Sequence, residues 1–401
     1  MTVHPQSADA ARGKLELATI VRAHAAPLRA GQGLSGAQLK ALRAIERCRT
    51  EQLGGHIARC NHCAAQQFHY HSCRNRHCPK CQTLAKERWL QSQRVELLPV
   101  PYFHLVFTLP HELNALARGN PRLLYGLLFA AASETLIEFG ENPRWLGGRI
   151  AATLVLHTWG QTLTHHPHVH ALVAGGALNA EDGWIAPRRG FLFPVQALSK
   201  VFRGKFLGAL SKLLEQGCLA LAGSTTALAQ PHARRAWIAS LHATPWVVYA
   251  KQTLAGPEQV LDYLGRYTHK VAISNERLLA MDEQGNVRFG YRDRARGNQR
   301  KTMQLPATEF LARFLTHVLP CAFMRIRHYG LLANRSKRQL LAATRTALGV
   351  SPPLPVEPES VQAFWLRVAA LDITLCPTCR IGHLCVVGSI LPLAPYRARA
   401  P

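Results

Sequence analysis

The stretch HHPHVHALVAGG, residues His165 to Gly176, places four histidines at the start of an apolar run that ends in two glycines. The apolar run predicts a buried β-strand. Side chains two residues apart share one face of a strand, so His168 and His170 project together while Val169 turns into the core. Two neutral imidazoles on one face form part of a metal site. Taken alone, two hydrogen-bonded core histidines would explain the same spacing.

A metal site needs a third ligand, and the preceding apolar strand, IAATLVLHTW, is followed closely by Gln161. A hairpin between the two predicted strands would bring Gln161 beside His168 and His170. Its carbonyl oxygen suits Mg(II) or Mn(II). His157 and His166 are the alternative third ligands from the same part of the chain.

Two tyrosines follow in the segment YLGRYTHK, where Tyr263 and Tyr267 are four residues apart. On a helix these phenols share one face. Both rings could simply pack that helix against a sheet. Together with the histidines they have a chemical interpretation, because a tyrosine can attack a DNA phosphodiester while a histidine-bound metal polarises the phosphate. The combination indicates an endonuclease that keeps the bond energy in a covalent protein–DNA link.

The motif CNHCAAQQFHYHSCRNRHCPKC contains two CxxC pairs, each of which can wrap one side of a tetrahedral Zn(II) ion. We predict one structural zinc held by Cys60, Cys63, Cys78 and Cys81, with Cys73 as the alternative fourth ligand. Basic side chains in the same motif are expected to contact DNA phosphates. They are Arg74, Arg76 and Lys80.

The remaining cysteines lie outside this motif. The tail motif CPTCRIGHLC places four candidate zinc ligands close together: Cys376, Cys379, His383 and Cys385. They could bind a second zinc by themselves or supply half of a site that is completed elsewhere in the chain. Isolated cysteines are typical of ordinary buried thiols. These are Cys48, Cys218 and Cys321.

Charge is strongly unbalanced, with 48 Lys and Arg against 23 Asp and Glu and a formal net charge of +25. Such an excess favours a polyanionic partner, most commonly nucleic acid. No uninterrupted run approaches the roughly 18 apolar residues of a membrane span. The first residues, MTVHPQSADAARGK, lack the apolar core of a signal peptide. We therefore expect a cytoplasmic protein with no membrane partner, in which reduced cysteines bind metal.

The order of predicted elements divides the 401 residues into three regions. Residues 1–95 contain helices and the cysteine motif, and Ser35 is the predicted N-cap of the helix GAQLKALRAIERCR. Residues 96–335 contain strands and helices, including the histidine strand and the tyrosine segment. Residues 336–401 contain the proline-rich linker SPPLPVEPES and the tail cysteines.

Four stretches in this order resemble one known family: SCRNRHCPKCQ, HTWGQTLTHHPHVHALVAGG, YLGRYTHKVAISN and RIRHYGLLANR. They are similar to the HUH two-tyrosine rolling-circle transposases of bacterial insertion sequences, the IS ninety-one family. The resemblance implies an α+β fold. In that fold the antiparallel sheet of an HUH endonuclease is flanked by helices, with a small N-terminal zinc-binding domain and helical additions.

The resemblance also implies the chemistry. His168 and His170 would hold a divalent ion, Mg(II) or Mn(II), with Gln161 as third ligand, and Tyr263 and Tyr267 would be the nucleophiles. The family cleaves single-stranded DNA, leaves a 5′-phosphotyrosine and a free 3′-OH, and rejoins strands during transposition. The implied partners are single-stranded or hairpin DNA at element ends, target DNA at the bacterial nucleoid and, in a homodimer, a second copy of the chain. Further DNA contacts are expected from Arg266, Lys270, Arg325 and Arg327.

Two other classes of protein share part of this pattern. A zinc-dependent DNA-binding regulator would show binding with steep salt dependence but no cleavage. A rolling-circle replication initiator or a relaxase would use the same tyrosine chemistry. Relaxases carry their tyrosines before the histidines, whereas here Tyr263 follows His168 by 95 residues.

Overall fold

The structure is a computed structural model that describes residues 14–31, 33–188, 192–252, 265, 271–293, 296–353 and 359–393. The chain forms two compact units. The first contains residues 1–84, 273–312 and 355–401, and the second contains residues 85–272 and 313–354. The described N-terminal and C-terminal segments therefore belong to one unit.

The secondary structure mixes helices and strands. The α-helices of the described residues are α1 (Leu17–Ala30), α2 (Gly36–Arg47), α3 (Gln82–Glu96), α4 (Asn114–Gly119), α5 (Pro121–Glu141), α6 (Val195–Glu215), α7 (Pro231–Ala243), α8 (Ala307–Leu315), α9 (Lys337–Ala347) and α10 (Val361–Ala369). The strands are β1 (Gly55–Cys60), β2 (Gln66–Tyr70), β3 (Tyr102–Thr108), β4 (Arg149–Trp159), β5 (His165–Leu178), β6 (Trp184–Ile185), β7 (Val248–Gln252), β8 (Leu278–Met281), β9 (Asn286–Asp293), β10 (Gln299–Pro306), β11 (Ile326–Gly330) and β12 (Leu384–Ile390).

The second unit is built on an antiparallel sheet in the order β11-β4-β5-β3-β7, with β6 paired to one end of β5. One face buries apolar residues such as Phe107, Leu156 and Val169 beneath α5 and α6. The opposite face packs Val155 and Leu172 in a second core. Because β5 lies at the centre of the sheet, both faces of its apolar run are covered. The predicted α+β fold with an antiparallel sheet flanked by helices is confirmed.

The two glycines at the end of the opening stretch allow close packing at the edge of the core. The Gly175 amide donates to the Pro101 carbonyl at 2.6 Å. Gly176 has φ +148°, and a Cβ there would run into the ring of Trp184 on β6. A side chain at either position would force the neighbouring chain away, which explains why this buried strand contains two glycines near its C-terminal end.

Helix α5 alone, among the described helices, is long and apolar enough to cross a membrane by length and composition. Arg122, Glu134 and Glu138 interrupt its apolar sequence, so it does not stand out as an uninterrupted run. Most of the helix is buried inside the protein, including Leu128 and Phe129. Its apolar character is therefore accounted for by packing in the core of the second unit.

The first unit contains two small antiparallel sheets, in the orders β12-β1-β2 and β10-β9-β8. The predicted N-cap of α2 is confirmed: the Ser35 amide donates to the Gln38 side chain at 2.8 Å, and Ser35 Oγ accepts from the Gln38 amide at 3.3 Å. This capping box ends the preceding loop and starts the helix. Helix α2 leads directly to Cys48, which is its C-cap.

Candidate functional site

Three histidines come together on one face of the central sheet. His157 on β4 lies directly opposite His168 on β5, and His170 follows two residues along β5. The ligand nitrogens of all three lie within 4.8 Å of one another, and all three side chains are buried. The predicted pairing of His168 and His170 on one face is therefore what the strand geometry produces.

Hydrogen bonds indicate which nitrogens face one another. His168 Nδ1 lies 2.7 Å from the His166 carbonyl, so this nitrogen carries the proton and donates. The lone pair of His168 then resides on Nε2, which lies 3.1 Å from His170 Nε2. The other nitrogen of His170, Nδ1, lies 2.8 Å from His104 Nε2. The two Nε2 atoms thus point toward a shared position.

His104 on β3 is a residue that the sequence analysis did not select. Its ring stacks on that of His170 with 5.1 Å between centroids. Burial lowers the pKa of His104 to about 4, so the ring is neutral at pH 7 and can accept a hydrogen bond. With His104 Nε2 as the acceptor, the His170 proton would lie on Nδ1 and the lone pair of His170 Nε2 would face the shared position. The only local signal was a histidine in the otherwise apolar strand YFHLVF.

The arrangement fits a divalent ion. Metal–imidazole bonds of about 2.0–2.1 Å place two ligand nitrogens about 3 Å apart, and the two Nε2 atoms are 3.1 Å apart. Neutral, buried imidazoles are the form that binds metals. Gln161, the predicted third ligand, is half-buried in the turn between β4 and β5, whereas His166 is exposed. The described set that converges is His157, His168 and His170.

Two predicted DNA-contacting arginines lie at different positions relative to this site. Trp159 stacks on His157 with 4.6 Å between ring centroids, and the Arg325 guanidinium lies 6.0 Å from the Trp159 ring. The Trp159 ring therefore contacts both His157 and Arg325. Arg327 instead lies 4.3 Å from the ring of Phe129 on α5, so its cation faces the opposite core.

The remaining predicted residues of the site lie outside the described part of the chain. They are Tyr263, Tyr267, Arg266 and Lys270. Gly265, between the tyrosines in sequence, is described as a helical residue. A Cβ at Gly265 would come within 2.9 Å of the side chains of Lys86 and Leu90 on α3.

A second pair of buried histidines lies beside the turn that precedes β5. His317 is fully buried between the Thr158 hydroxyl at 3.2 Å and the Leu163 carbonyl at 3.1 Å. His165 pairs with the Tyr125 hydroxyl at 2.9 Å, while its Nδ1 has no hydrogen-bond partner among the described residues. Burial lowers the pKa of His317 to about 4, and burial followed by the nearby His317 lowers that of His165 to about 3.

This pair predicts that the protein loses stability in mild acid. The folded-state pKa values lie below the usual 6.5, so the unfolded chain binds protons first as the pH falls. Stability is full above pH 6.5 and declines toward pH 4. At pH 5.5 we expect a loss of about 1.4 kcal/mol per histidine. Urea unfolding at pH 7.5 and 5.5 measures the loss. The variant His317→Gln keeps an amide donor for Leu163 and should show a shallower pH dependence, and an unchanged slope would contradict this origin.

Eight cysteines of the first unit form two clusters of four. In the first, Cys48 Sγ lies 3.4 Å from Cys81 Sγ and 3.7 Å from Cys78 Sγ, and Cys73 Sγ lies 3.6 Å from Cys81 Sγ. Tetrahedral zinc with bonds of about 2.3 Å has sulfurs about 3.8 Å apart. Hydrogen bonds from Cys48, then Cys73 and Cys78, lower the pKa of the Cys81 thiol. The donor set fits a structural zinc ion.

The second cluster corrects the predicted ligand grouping. Cys60 and Cys63 do not join the other CxxC pair but meet Cys376 and Cys379 of the tail motif. Cys73, predicted as the alternative fourth ligand, belongs to the first cluster. The interpretation of Cys48 as an ordinary thiol is not supported, because it completes that cluster.

The tail residues His383 and Cys385 also differ from the predicted set. Both are exposed, and neither belongs to a described cluster. The His383 ring lies 3.1 Å from the Thr374 hydroxyl. Cys385 lies on β12, opposite Arg59 of β1, where consecutive side chains point to opposite faces. Of the two alternatives for the tail motif, the structure agrees with half of a site that is completed elsewhere in the chain, because Cys376 and Cys379 cluster with Cys60 and Cys63.

A basic groove of about 660 Å³ lies beside the first cysteine cluster. Helix α2 contributes Lys40, Arg43 and Arg47 at helical spacing to one wall. The opposite wall includes Cys73 and the exposed Arg74. The groove is therefore shaped by the same backbone that supplies a zinc ligand.

The other two predicted basic contacts are less accessible than Arg74. Arg76 is half-buried. Lys80 pairs with Glu16 at 2.8 Å, which neutralises part of its charge. Arg74 is thus the member of the predicted set that faces the groove.

Comparisons with known proteins agree along most of the chain. Residues 151–339 match the family described as "Putative transposase", and residues 20–109 match "Transposase zinc-binding domain". The chain is 46% identical to the "Putative transposase y4qJ" of Sinorhizobium fredii, over 94% of this chain and 96% of that protein. It is 31% identical to the "Transposase for insertion sequence element IS801" of Pseudomonas savastanoi pv. phaseolicola, over 80% of this chain and 77% of that protein. No solved structure matches the chain.

Proposed function

Because the chain belongs to the IS ninety-one family of transposases, we propose that it cleaves and rejoins single-stranded DNA at the ends of an insertion sequence through phosphotyrosine links. Membership of this family implies that the chain acts on DNA as an endonuclease and strand transferase. The observation that carries the finer proposal is the convergence of His168 Nε2 and His170 Nε2, 3.1 Å apart, on a buried sheet face. Hairpin ends, a homodimer and action at the nucleoid are parts of the same proposal.

The proposed reaction is a transesterification at phosphorus. The phenol oxygen of Tyr263 or Tyr267 loses its proton and attacks the phosphate. A bond forms from that oxygen to phosphorus, and the bond from phosphorus to the 3′-oxygen breaks. The 3′-oxygen leaves with a proton as a free 3′-OH, and the 5′ end stays on the tyrosine. One phosphodiester replaces another, so a later 3′-OH can reverse the step without a nucleotide triphosphate.

The histidines orient this step. His157, His168 and His170 would hold the divalent ion, and Gln161 in the adjoining turn stays a prediction for a further ligand. A bound Mg(II) or Mn(II) supplies Lewis-acid polarisation of the phosphate. His104 Nε2 would accept a hydrogen bond from His170 Nδ1–H, and this bond would keep the His170 ring in the metal-binding tautomer. Arg325, whose guanidinium lies 6.0 Å from the Trp159 ring, would attract a phosphate.

The basic groove is proposed to hold the DNA backbone. Lys40, Arg43, Arg47 and Arg74 line it with positive charge, and such cations form the sequence-independent part of DNA binding. Cys73 forms part of the same wall, so the first zinc ion would keep the groove in shape. In this proposal the zinc-binding region binds the DNA backbone, and the tyrosines cleave the DNA at the metal held by the histidines.

The double substitution Arg43→Ala/Arg47→Ala is expected to weaken binding of a single-stranded element end roughly tenfold, because two phosphate contacts are lost. The slope of log affinity against log salt should fall by about 1.4, since each single-strand contact contributes about 0.7. Titrations by fluorescence anisotropy at several salt concentrations measure both quantities. The matched variant Arg288→Ala/Arg300→Ala removes the same charge from exposed positions on β9 and β10 and should keep the slope. Equal slopes in both variants would exclude the groove as the binding surface.

The proposed function is tested with the purified chain, a labelled single-stranded element end and Mn(II). We expect a covalent protein–DNA adduct that carries the 5′ side of the cut, together with a fragment ending in 3′-OH. The same sequence as a perfect duplex should form little adduct. Binding without any adduct would refute cleavage and favour a DNA-binding regulator.

A further inference from the structure

We propose that the chain holds a second zinc ion between its two ends, with Cys60, Cys63, Cys376 and Cys379 as ligands. The first two cysteines lie in the segment that matches the zinc-binding domain, residues 20–109, whereas the other two lie far outside it. The site therefore joins the C-terminal segment to the N-terminal region. It is independent of the proposed cleavage chemistry.

The sulfur positions fit tetrahedral coordination. Cys60 Sγ lies 3.7 Å from Cys379 Sγ, and Cys63 Sγ lies 3.8 Å from Cys376 Sγ. Four thiolates bound to one zinc at about 2.3 Å have sulfurs about 3.8 Å apart. A disulfide would require about 2 Å. All four sulfurs lie within 4.8 Å of one another. Two independent pairs of thiols would have no reason to lie this close together.

Each of the two CxxC turns has backbone amides directed at a sulfur. In the first turn the amides of His62 and Cys63 point at the Cys60 sulfur, at 3.3 and 3.5 Å. At the second turn the Gly382 amide donates to the Cys379 sulfur at 3.4 Å. Backbone amides directed at sulfur stabilise a thiolate rather than a thiol. The two turns face each other and bring together the four sulfurs that a structural zinc ion requires.

Neighbouring backbone contacts hold the two turns in this position. The Asn61 amide donates to the His383 carbonyl at 3.0 Å, and the His383 amide donates to the Asn61 side chain at 2.8 Å. Gly382 packs so closely that a Cβ would lie 2.6 Å from Cys60 Sγ. The absence of a side chain at Gly382 is therefore what lets the second turn reach the first.

The proposed ion stabilises a small sheet made from both ends of the chain. Strand β12 pairs with β1 from Gly55↔Ile390 to Cys60↔Leu384, which makes β1 the central strand of three. Much of β12 is exposed, including Val386 and Val387, so apolar burial contributes little to holding it. Zinc at the end of the β1–β12 pair would supply the missing stability, because binding free energy of a structural zinc adds directly to folding.

The test counts zinc in the full chain carrying His168→Ala/His170→Ala, so that the histidine site does not contribute. Elemental analysis should give two zinc ions per chain. Cys376→Ser/Cys379→Ser should reduce the count to one. The matched control Cys385→Ser, which alters an exposed cysteine of the same tail motif, should keep two. A parent protein with one zinc, or a Cys376→Ser/Cys379→Ser variant with two, would overturn the proposal.

A second measurement uses the unmutated cysteines and so does not depend on whether the serine variant folds. In the zinc-loaded chain, alkylation followed by mass spectrometry should find Cys60, Cys63, Cys376 and Cys379 protected and Cys385 modified. Stepwise chelation should expose those four together as one equivalent of zinc leaves. Modification of Cys376 and Cys379 before zinc release would overturn the shared site. Neither measurement involves DNA, so failure of the proposed cleavage would leave the result unaffected.

Discussion

The double substitution Tyr263→Phe/Tyr267→Phe is expected to abolish the covalent DNA adduct while leaving DNA binding intact. Phenylalanine keeps the ring and removes the only atom that can bond to phosphorus, so packing changes little. A drop of at least 10⁴-fold in adduct formation is expected, on the order of what loss of a nucleophile costs. The measurement is denaturing electrophoresis of end-labelled DNA after incubation with Mn(II), alongside anisotropy binding by the same protein.

The matched control is Tyr249→Phe. Tyr249 is half-exposed on β7, and its ring lies 6.5 Å from that of His104, so it offers an accessible phenol near the histidine site. We expect Tyr249→Phe to form the adduct at the normal rate. If Tyr249→Phe eliminated the adduct and the Tyr263/Tyr267 variant retained it, the nucleophiles would be assigned to the wrong residues. If the double variant loses the adduct as expected, the two single substitutions show which of the paired tyrosines cuts first.

The strands of the central sheet were predictable because their signal is local. The alternation around His168, Val169 and His170 determines which side chains share a face, whatever else the chain does. The capping pattern at Ser35 is equally local. In contrast, the division into two compact units depends on which distant segments pair, and residues 273–312 join the first unit without any sequence marker.

The cysteines show the same limit at a binding site. CxxC spacing correctly indicates a knuckle that presents two sulfurs to zinc, because this geometry forms within four residues. The spacing contains no information about which other cysteines supply the remaining two sulfurs of the site. Cys48 is 25 residues from Cys73 and resembles a helix-end thiol, and Cys376 is more than 300 residues from Cys60. For Cys60 and Cys63, the pairing of β1 with β12, which is a long-range property, brings the tail cysteines into position.

The identity of the metal ligands at the histidine site is expected to have a large effect on the rate of adduct formation. We expect His168→Ala or His170→Ala to slow adduct formation about 10²–10³-fold, since each removes a metal ligand and part of the phosphate polarisation. His157→Ala should have an effect of similar size. Its ring lies 4.4 Å from that of His170 between centroids, and its ligand nitrogen belongs to the same cluster. Single-turnover adduct formation at several metal concentrations measures the loss.

The comparison of His157→Ala with Gln161→Ala decides the third ligand, and His166→Ala, an exposed histidine on the same hairpin, is the matched control. Three imidazoles favour Mn(II) over Mg(II), because nitrogen ligands suit softer ions than carbonyl oxygens do. If His157 is the ligand, its loss should raise the Mn(II) concentration needed for half-maximal rate at least tenfold, and Gln161→Ala should change it little. The reverse ranking, with activity equal in Mg(II) and Mn(II), would assign the position to the Gln161 carbonyl and make His157 a buried neighbour that packs on Trp159. In either outcome the His104–His170 contact is expected to matter. His170 needs its Nε2 lone pair directed at the metal site whether His157 or Gln161 is the third ligand.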